Sequence, residues 1–237
     1  KNVSLTYSGS GAPSVERINF KAMKGQTIGV IGGTGSGKSS LVNLIPRLYD
    51  ATQGEVLVDG VNVKDYDIET LRNKVGIVMQ KAVLFKGTIR ENMWMGKKGA
   101  TDEQIDEALE ISQSKEFVDS KQGRLDYVIE QGGKNLSGGQ RQRLTIARAI
   151  VRKPDVLILD DSASALDFAT DAALRKAIRG MNNSPTVFIV SQRAASLMYA
   201  DLIIVLDDGQ VAGMGTHDEL LANCEVYKEI YESQFKN

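Results

Sequence analysis

Residues 27–45 read TIGVIGGTGSGKSSLVNLI: an apolar strand pattern, a glycine-rich loop, and a run with helical spacing. The loop, Gly32-Gly33-Thr34-Gly35-Ser36-Gly37-Lys38-Ser39, has the GxxxxGK[ST] spacing of a phosphate-binding P-loop, in the strand–loop–helix context such a loop requires. Glycines there let successive backbone N–H groups turn inward around phosphate oxygens with no side chain intervening. The start of the following helix adds a favourable dipole. Lys38 is then expected at the β- and γ-phosphates of a nucleotide and Ser39 on Mg²⁺, with Ser40 also at the nucleotide. The plain alternative is a glycine-rich turn without a ligand; the agreement of pattern, strand and helix favours the nucleotide.

Outward from this loop, strand-like alternation occupies residues 3–7 and 16–20, then 54–58 ahead of an Asp59-Gly60 turn. Strand signals return at 156–159, 186–190 and 202–206, and Asp208-Gly209 turns into a closing strand near Val211. Between them lies a helix-rich segment, residues 81–151, in which 101–118 sets Ile105, Ala108, Leu109, Ile111 and Phe117 among charges. Strands alternating with helices predict an α/β fold with a mainly parallel sheet, an antiparallel β edge and an inserted α-helical subdomain. Residues 1–80 and 152–237 would form the core and 81–151 the insertion. The tail, 217–231, is amphipathic, and Thr216 with Glu219 has capping-box spacing, which makes His217 a helix-start residue in preference to a catalytic one.

Bulk properties narrow the partners. The 237 residues carry 29 basic and 30 acidic side chains, a net charge of −1, so no general attraction to nucleic acid or to an anionic membrane is expected. A lone Cys224 excludes an internal disulfide and reads as a small apolar residue in a reducing compartment. No segment reaches the roughly 18 to 20 apolar residues that span a bilayer, and residues 1–10 are too polar for a signal-peptide core. The chain opens on a strand-like pattern without Met, as expected of a domain excised from a longer protein.

A second nucleotide-site feature is Val156-Leu157-Ile158-Leu159-Asp160, an apolar strand ending in a carboxylate suited to hold Mg²⁺ with its water shell, followed by Asp161. Between it and the P-loop stands Leu136-Ser137-Gly138-Gly139-Gln140 ahead of a helix, a second anion-binding arrangement in one chain.

With these three motifs the whole chain resembles the ATP-binding domains of ABC transporters. The resemblance implies a P-loop NTPase fold with a RecA-like sheet, ATP and Mg²⁺ as cofactors, and a head-to-tail dimer. In that dimer Ser137, Gly138, Gly139 and Gln140 close over the ATP of a second nucleotide-binding domain. It implies further that Tyr7 stacks on adenine, although an amphipathic strand also supplies a Tyr there. Gln80 matches the loop glutamine that contacts Mg²⁺ and the attacking water. Residues 84–92, LFKGTIREN, resemble the exporter form of the region that meets the transmembrane domain, against the plainer reading of a surface loop. Ser164-Ala165-Leu166-Asp167 resembles the loop that crosses the dimer, and Glu130 loosely matches an acidic contact loop. The implied location is the cytoplasmic face of a membrane.

Two positions depart from the family pattern. Hydrolysing members carry Glu as general base after the Mg²⁺ carboxylate; here it is Asp161, and one methylene less withdraws the carboxylate by about 1.5 Å. A His normally contacts the γ-phosphate where Gln192 stands, and an amide cannot become cationic near neutral pH. Beside an intact P-loop and signature, these changes resemble the degenerate half of a heterodimeric, multidrug-type exporter. Its partner would be a non-identical chain carrying Glu and His. A slowly hydrolysing homodimer and a non-catalytic ATP-binding regulatory module are the alternatives. Trp94 with Met93 and Met95 reads as an apolar packing cluster, and Arg141, Arg143 and Arg148 as a solvated helix face.

Overall fold

The computed structural model describes residues 1–161 and 166–235. The chain forms two compact units, one of residues Lys1–Val75 and Thr186–Asn237, the other of Gly76–Pro185.

In the first unit the strands run in the order Gln210–Gly215, Leu202–Asp207, Thr27–Gly32, Thr186–Val190. The last three are mutually parallel, with Val30 opposite both Val190 and Ile204, while the edge strand Gln210–Gly215 is antiparallel. Every residue of Thr27–Gly32 is buried, as expected of a parallel strand covered on both faces, whose sequence is continuously apolar rather than alternating. The edge hairpin turns at Asp208 (φ 44°) and Gly209 (φ 78°), and the hairpin Leu57–Val58 with Val61–Asn62 turns at Asp59 (φ 52°) and Gly60 (φ 80°). Both are two-residue turns with left-handed residues, which match the twist of the flanking strands. The mainly parallel α/β fold with an antiparallel edge is therefore present. The strands expected at 3–7 and 16–20 are the shorter antiparallel pair Val3–Leu5 and Val15–Ile18. The chain leaves the first after Leu5 to form a turn in which Ser10 N–H bonds the Tyr7 carbonyl.

The helix after the P-loop spans Lys38–Asn43, ending two residues before the helical run of the stretch 27–45 does. Pro46 is the reason at its end: a residue preceding proline is disfavoured in helical conformation, and Leu44 and Ile45 close with tighter bonds to Leu41 and Val42.

In the second unit the strands Val75–Val78 and Val156–Asp160 are neighbours. The helix Gly138–Ile150 buries Leu144, Ile146, Ala147 and Ile150 and packs against Ile89–Trp94 and Asp102–Ile111. The helical pattern of 101–118 is broken into Asp102–Ile111 and Lys115–Asp119. Gln113 takes φ 60°, and Ser112 and Ser114, both buried, bond each other through their hydroxyls at 2.9 Å. Short hydroxyl side chains that satisfy one another offer the backbone an alternative to the helix.

The tail likewise divides into His217–Asn223 and Glu225–Phe235, with the buried, extended Cys224 between them. Cys224 packs so closely on Gly213 that a β-carbon there would stand 2.8 Å from the sulfur. The capping box at Thr216 and Glu219 forms, and His217 begins the helix with Nδ1 2.8 Å from the Tyr227 hydroxyl. Among the described residues no helix is long and apolar enough to cross a membrane.

Candidate nucleotide-binding site

The P-loop glycines divide by environment. A β-carbon on Gly37, whose φ is 93°, would lie 2.3 Å from the Ser14 carbonyl oxygen, so only glycine fits there. Gly33 and Gly35 have nothing within 4 Å of such an atom. Gly32 ends the strand against the Leu206 carbonyl. Ser36 is buried, and its Oγ has no hydrogen-bond partner among the described residues. An unsatisfied buried hydroxyl costs about 1–3 kcal/mol, and a phosphate oxygen is the acceptor that such a loop supplies with one. The Lys38 ammonium donates to the carbonyls of Gly32 (2.9 Å) and Gly33 (2.6 Å), which holds a positive charge at the loop. Thr34 and Ser39 are exposed, Ser39 in the first helical turn. A loop with an orphaned hydroxyl, an anchored ammonium and unfilled space at two glycines fits a nucleotide's phosphates.

Tyr7 is half-buried rather than a core residue. Its hydroxyl donates to Ser40 Oγ at 3.0 Å, and its ring meets Tyr49 edge-on at 4.9 Å. The tyrosine is thereby tied to the helix that follows the P-loop. Gln192 is exposed just beyond the strand Thr186–Val190, where Ser191 N–H still bonds the Val30 carbonyl, so it emerges from the sheet at the end from which the P-loop also leaves. A residue without any sequence signal holds it: Gln234, on the last helix, bonds the Gln192 carbonyl and the Ala194 N–H.

The second unit brings together Gln80, Asp160 and Asp161. Asp160 is buried at the end of its strand. Asp161 follows with φ 45°, and the Gln80 amide donates to its Oδ2 at 3.1 Å. Gln80 reaches it because the strand Val75–Val78, which it follows, neighbours the strand that ends at Asp160. Asp167 caps the helix Phe168–Arg179, accepting from the Thr170 N–H (2.9 Å) and hydroxyl (2.8 Å), and these bonds hold its carboxyl below the usual range. Ser164 and Ala165 lie outside the described residues. The described residues contain no cluster of three or more His, Cys, Asp or Glu arranged to hold a metal. Mg²⁺ is usually held by few protein ligands, with phosphate and water completing its shell.

Ser137 caps the helix Gly138–Ile150 in a capping box: its Oγ accepts from the Gln140 N–H, and Gln140 Oε1 accepts from the Ser137 N–H at 3.0 Å. Ser137 and Gly138 are exposed, Gly139 and Gln140 half-buried. The Gln140 side chain is thus engaged in its own helix start, while the Ser137 hydroxyl keeps its proton to donate. The solvated face expected of Arg141, Arg143 and Arg148 is not found. Arg141 donates to the Leu136 carbonyl (2.8 Å); Arg143 donates to Gln113 O (2.6 Å) over the Phe117 ring; Arg148 donates to Val83 O (2.9 Å) over Phe85. Burial lowers the pKa of Arg143 and Arg148. These guanidiniums serve carbonyls that loops leave unpaired.

In the 84–92 region, buried Asn92 grips Phe85 by both backbone groups, at 2.9 and 3.0 Å, and so presents a half-exposed Phe85 ring. Thr88 and Glu91 form a capping box ahead of the helix Ile89–Trp94. Met93 is fully buried, whereas Trp94 and Met95 remain partly exposed, with the indole N–H on the Ala100 carbonyl. Glu130 is exposed, its N–H on Asn135 Oδ1.

Comparison with known proteins gives one family. A sequence profile described as ABC transporter matches residues 15–164. An ABC transporter ATP-binding protein of Mycobacterium tuberculosis is 43% identical over 233 residues, 97% of this chain and 40% of the relative. A Staphylococcus aureus protein described as a multidrug export ATP-binding/permease protein is 39% identical over 233 residues, 98% of this chain and 40% of that protein. The structure of a bacterial Atm1-family ABC exporter with ATP bound superimposes with a TM-score of 0.93 at 31% identity, covering 99% of this chain and 41% of that one. The chain therefore spans about 40% of the length of the relatives it matches.

Proposed function

Because this chain belongs to the ABC transporter family, as an ATP-binding domain, we propose that it serves a heterodimeric exporter as the half whose own hydrolysis site is impaired. The observation that carries this reading is the pair Asp161 and Gln192 beside an intact P-loop and an intact LSGGQ. The backbone N–H groups of Gly33 to Ser39 and the Lys38 ammonium would bind the phosphates, Ser39, Gln80 and Asp160 would hold Mg²⁺, and Tyr7 would flank the base. Mg²⁺ supplies neutralisation of the phosphate charge when bound. Asp161 would accept the water's proton from a carboxylate set back by about 1.5 Å, and misplacement of that order lowers rates by roughly a hundredfold. The Gln80 amide donates to Asp161 Oδ2 at 3.1 Å and so fixes where that carboxylate lies. Gln192 offers the γ-phosphate a neutral donor in place of a cation.

Ser137, Gly138, Gly139 and Gln140 complete the site of the partner domain, whose own Glu and His perform the hydrolysis. The export assignment draws on the Staphylococcus relative and on residues 84–92, where Asn92 presents Phe85 to a transmembrane partner. The assembly then sits at the cytoplasmic face of a membrane, with residues 81–151 as its helical subdomain.

Steady-state ATP turnover of this chain, alone and mixed with a consensus-site domain, tests the proposal. The chain alone should bind ATP and turn over at about one-hundredth of the mixture's rate. Asp161→Glu should raise the rate of this chain's own site, and Ser137→Arg should abolish the mixture's activity. Full-rate hydrolysis by the unmixed chain would show Asp161 to be a competent base and favour a homodimer.

A further inference from the structure

We propose that Gln234, near the end of the last helix, is a positioning residue that sets Gln192 for the terminal phosphate of ATP; this rests on the reading of Gln192 given above. The strand Thr186–Val190 ends two residues before Gln192, so the turn that carries Gln192 has left the sheet that would otherwise fix its backbone. One side-chain amide takes over. Gln234 Nε2 donates to the Gln192 carbonyl at 2.7 Å, and Gln234 Oε1 accepts from the Ala194 N–H at 2.9 Å. The two bonds straddle Arg193, whose own N–H is held by Ser191 Oγ at 2.9 Å. An amide is the neutral side-chain group that offers a donor and an acceptor side by side. It pairs with a carbonyl and an N–H two residues apart much as a neighbouring strand would.

Both ends of the clamp are anchored. On one side Ser191 N–H bonds the Val30 carbonyl, in the strand that leads into the P-loop. On the other, the helix Glu225–Phe235 is held by aromatic contacts: Tyr227 is fully buried against His217, and the Tyr231 and His217 ring centroids lie 5.3 Å apart. Gln192 is consequently fixed by its backbone from two directions while its side chain stays exposed at the sheet end. Loss of either Gln234 bond frees the backbone, not the chemistry, so the effect falls on whichever ligand atom Gln192 touches.

The test uses the 237-residue chain with Mg²⁺ and measures Kd for ATP and for ADP, which differ in the terminal phosphate alone. Gln234→Ala should weaken ATP about threefold to tenfold and leave ADP unchanged, the size of a single hydrogen bond made less well. Gln234→Glu, which keeps an acceptor for Ala194 and loses the donor to Gln192, should fall between. In a Gln192→Ala background, Gln234→Ala should change the ATP/ADP ratio no further. Equal weakening of both nucleotides, or of neither, overturns the proposal, because a merely structural residue moves the two together. Hydrogen exchange at the Ala194 amide separates the clamp from the reading beneath it: faster exchange in Gln234→Ala reports a real clamp. If Gln192→Ala alone leaves the ATP/ADP ratio unchanged, the terminal-phosphate role of Gln192 fails and the proposal with it.

Discussion

Gly33 and Gly37 stand four residues apart in one loop and do different things. Gly37 combines φ 93° with a carbonyl oxygen 2.3 Å from where a β-carbon would lie; Gly33 has open space there and no positive φ. Gly37→Ala should therefore lower the melting temperature and remove ATP binding, since left-handed strain of about 1–2 kcal/mol adds to a backbone clash. Gly33→Ala should melt as the unaltered chain does, with any loss confined to nucleotide affinity. Paired thermal melts and ATP titrations check both, and equal melting temperatures for the two variants would contradict the division. At Asp161 the same scale shows what a single methylene does: the residue keeps its charge and its hydrogen bond to Gln80, and what changes is reach.

Four helix starts among the described residues are built alike. Thr88, Thr101, Ser137 and Thr216 each begin a helix with a capping box closed by Glu or Gln at the third helical position. Removing such a cap costs about 1 kcal/mol. Thr216→Ala and Ser137→Ala should each lower the urea midpoint by a similar amount. Only Ser137→Ala should also reduce turnover in a mixture with a consensus-site domain, since its hydroxyl retains a proton to donate. Similar loss of turnover from both variants would assign Ser137 to the helix alone. Capping boxes are visible in sequence through their spacing, whereas the break at Gln113 is not. The apolar positions continue across it, and what interrupts the helix is a bond between two buried serines, which periodicity does not register.

Across the whole molecule, stability should depend on pH at both extremes. Asp50, Asp67, Asp102, Asp119, Asp167 and Glu219 are all held below the usual carboxylate range, Asp67, Asp167 and Glu219 by helix-cap bonds and Asp50, Asp102 and Asp119 by Arg or Lys. A depressed folded pKa contributes stability that is present above the unfolded value, about 4, and lost as pH falls through the folded one. Tyr227 runs the other way: burial, with Tyr231 nearby, pushes its hydroxyl up to about 12. That contribution is intact below the unfolded value near 10 and lost as pH rises toward 12. Urea midpoints should be level between about pH 5 and 9 and fall on either side. Tyr227→Phe should flatten the alkaline fall; an unchanged alkaline limb would remove Tyr227 as its source.

The loop at 32–39, the strand before it, the carboxylate at 160 and the LSGGQ run were legible from sequence because each is local. Backbone-driven phosphate binding needs glycines at close spacing, and a buried parallel strand needs an unbroken apolar run. The family, the mainly parallel sheet and its antiparallel edge followed from those segments in order. The tertiary structure decided what depends on residues distant in the chain. It turned Arg143 and Arg148 from a solvated face into clamps on loop carbonyls 30 and 65 residues away, set Gln80 on Asp161 across 81 residues, and placed Gln234 on the backbone of Gln192 across 42. Such contacts satisfy backbone groups left over where strands and helices end. Which groups are left over is settled by how the elements pack, and a sequence pattern carries no record of it.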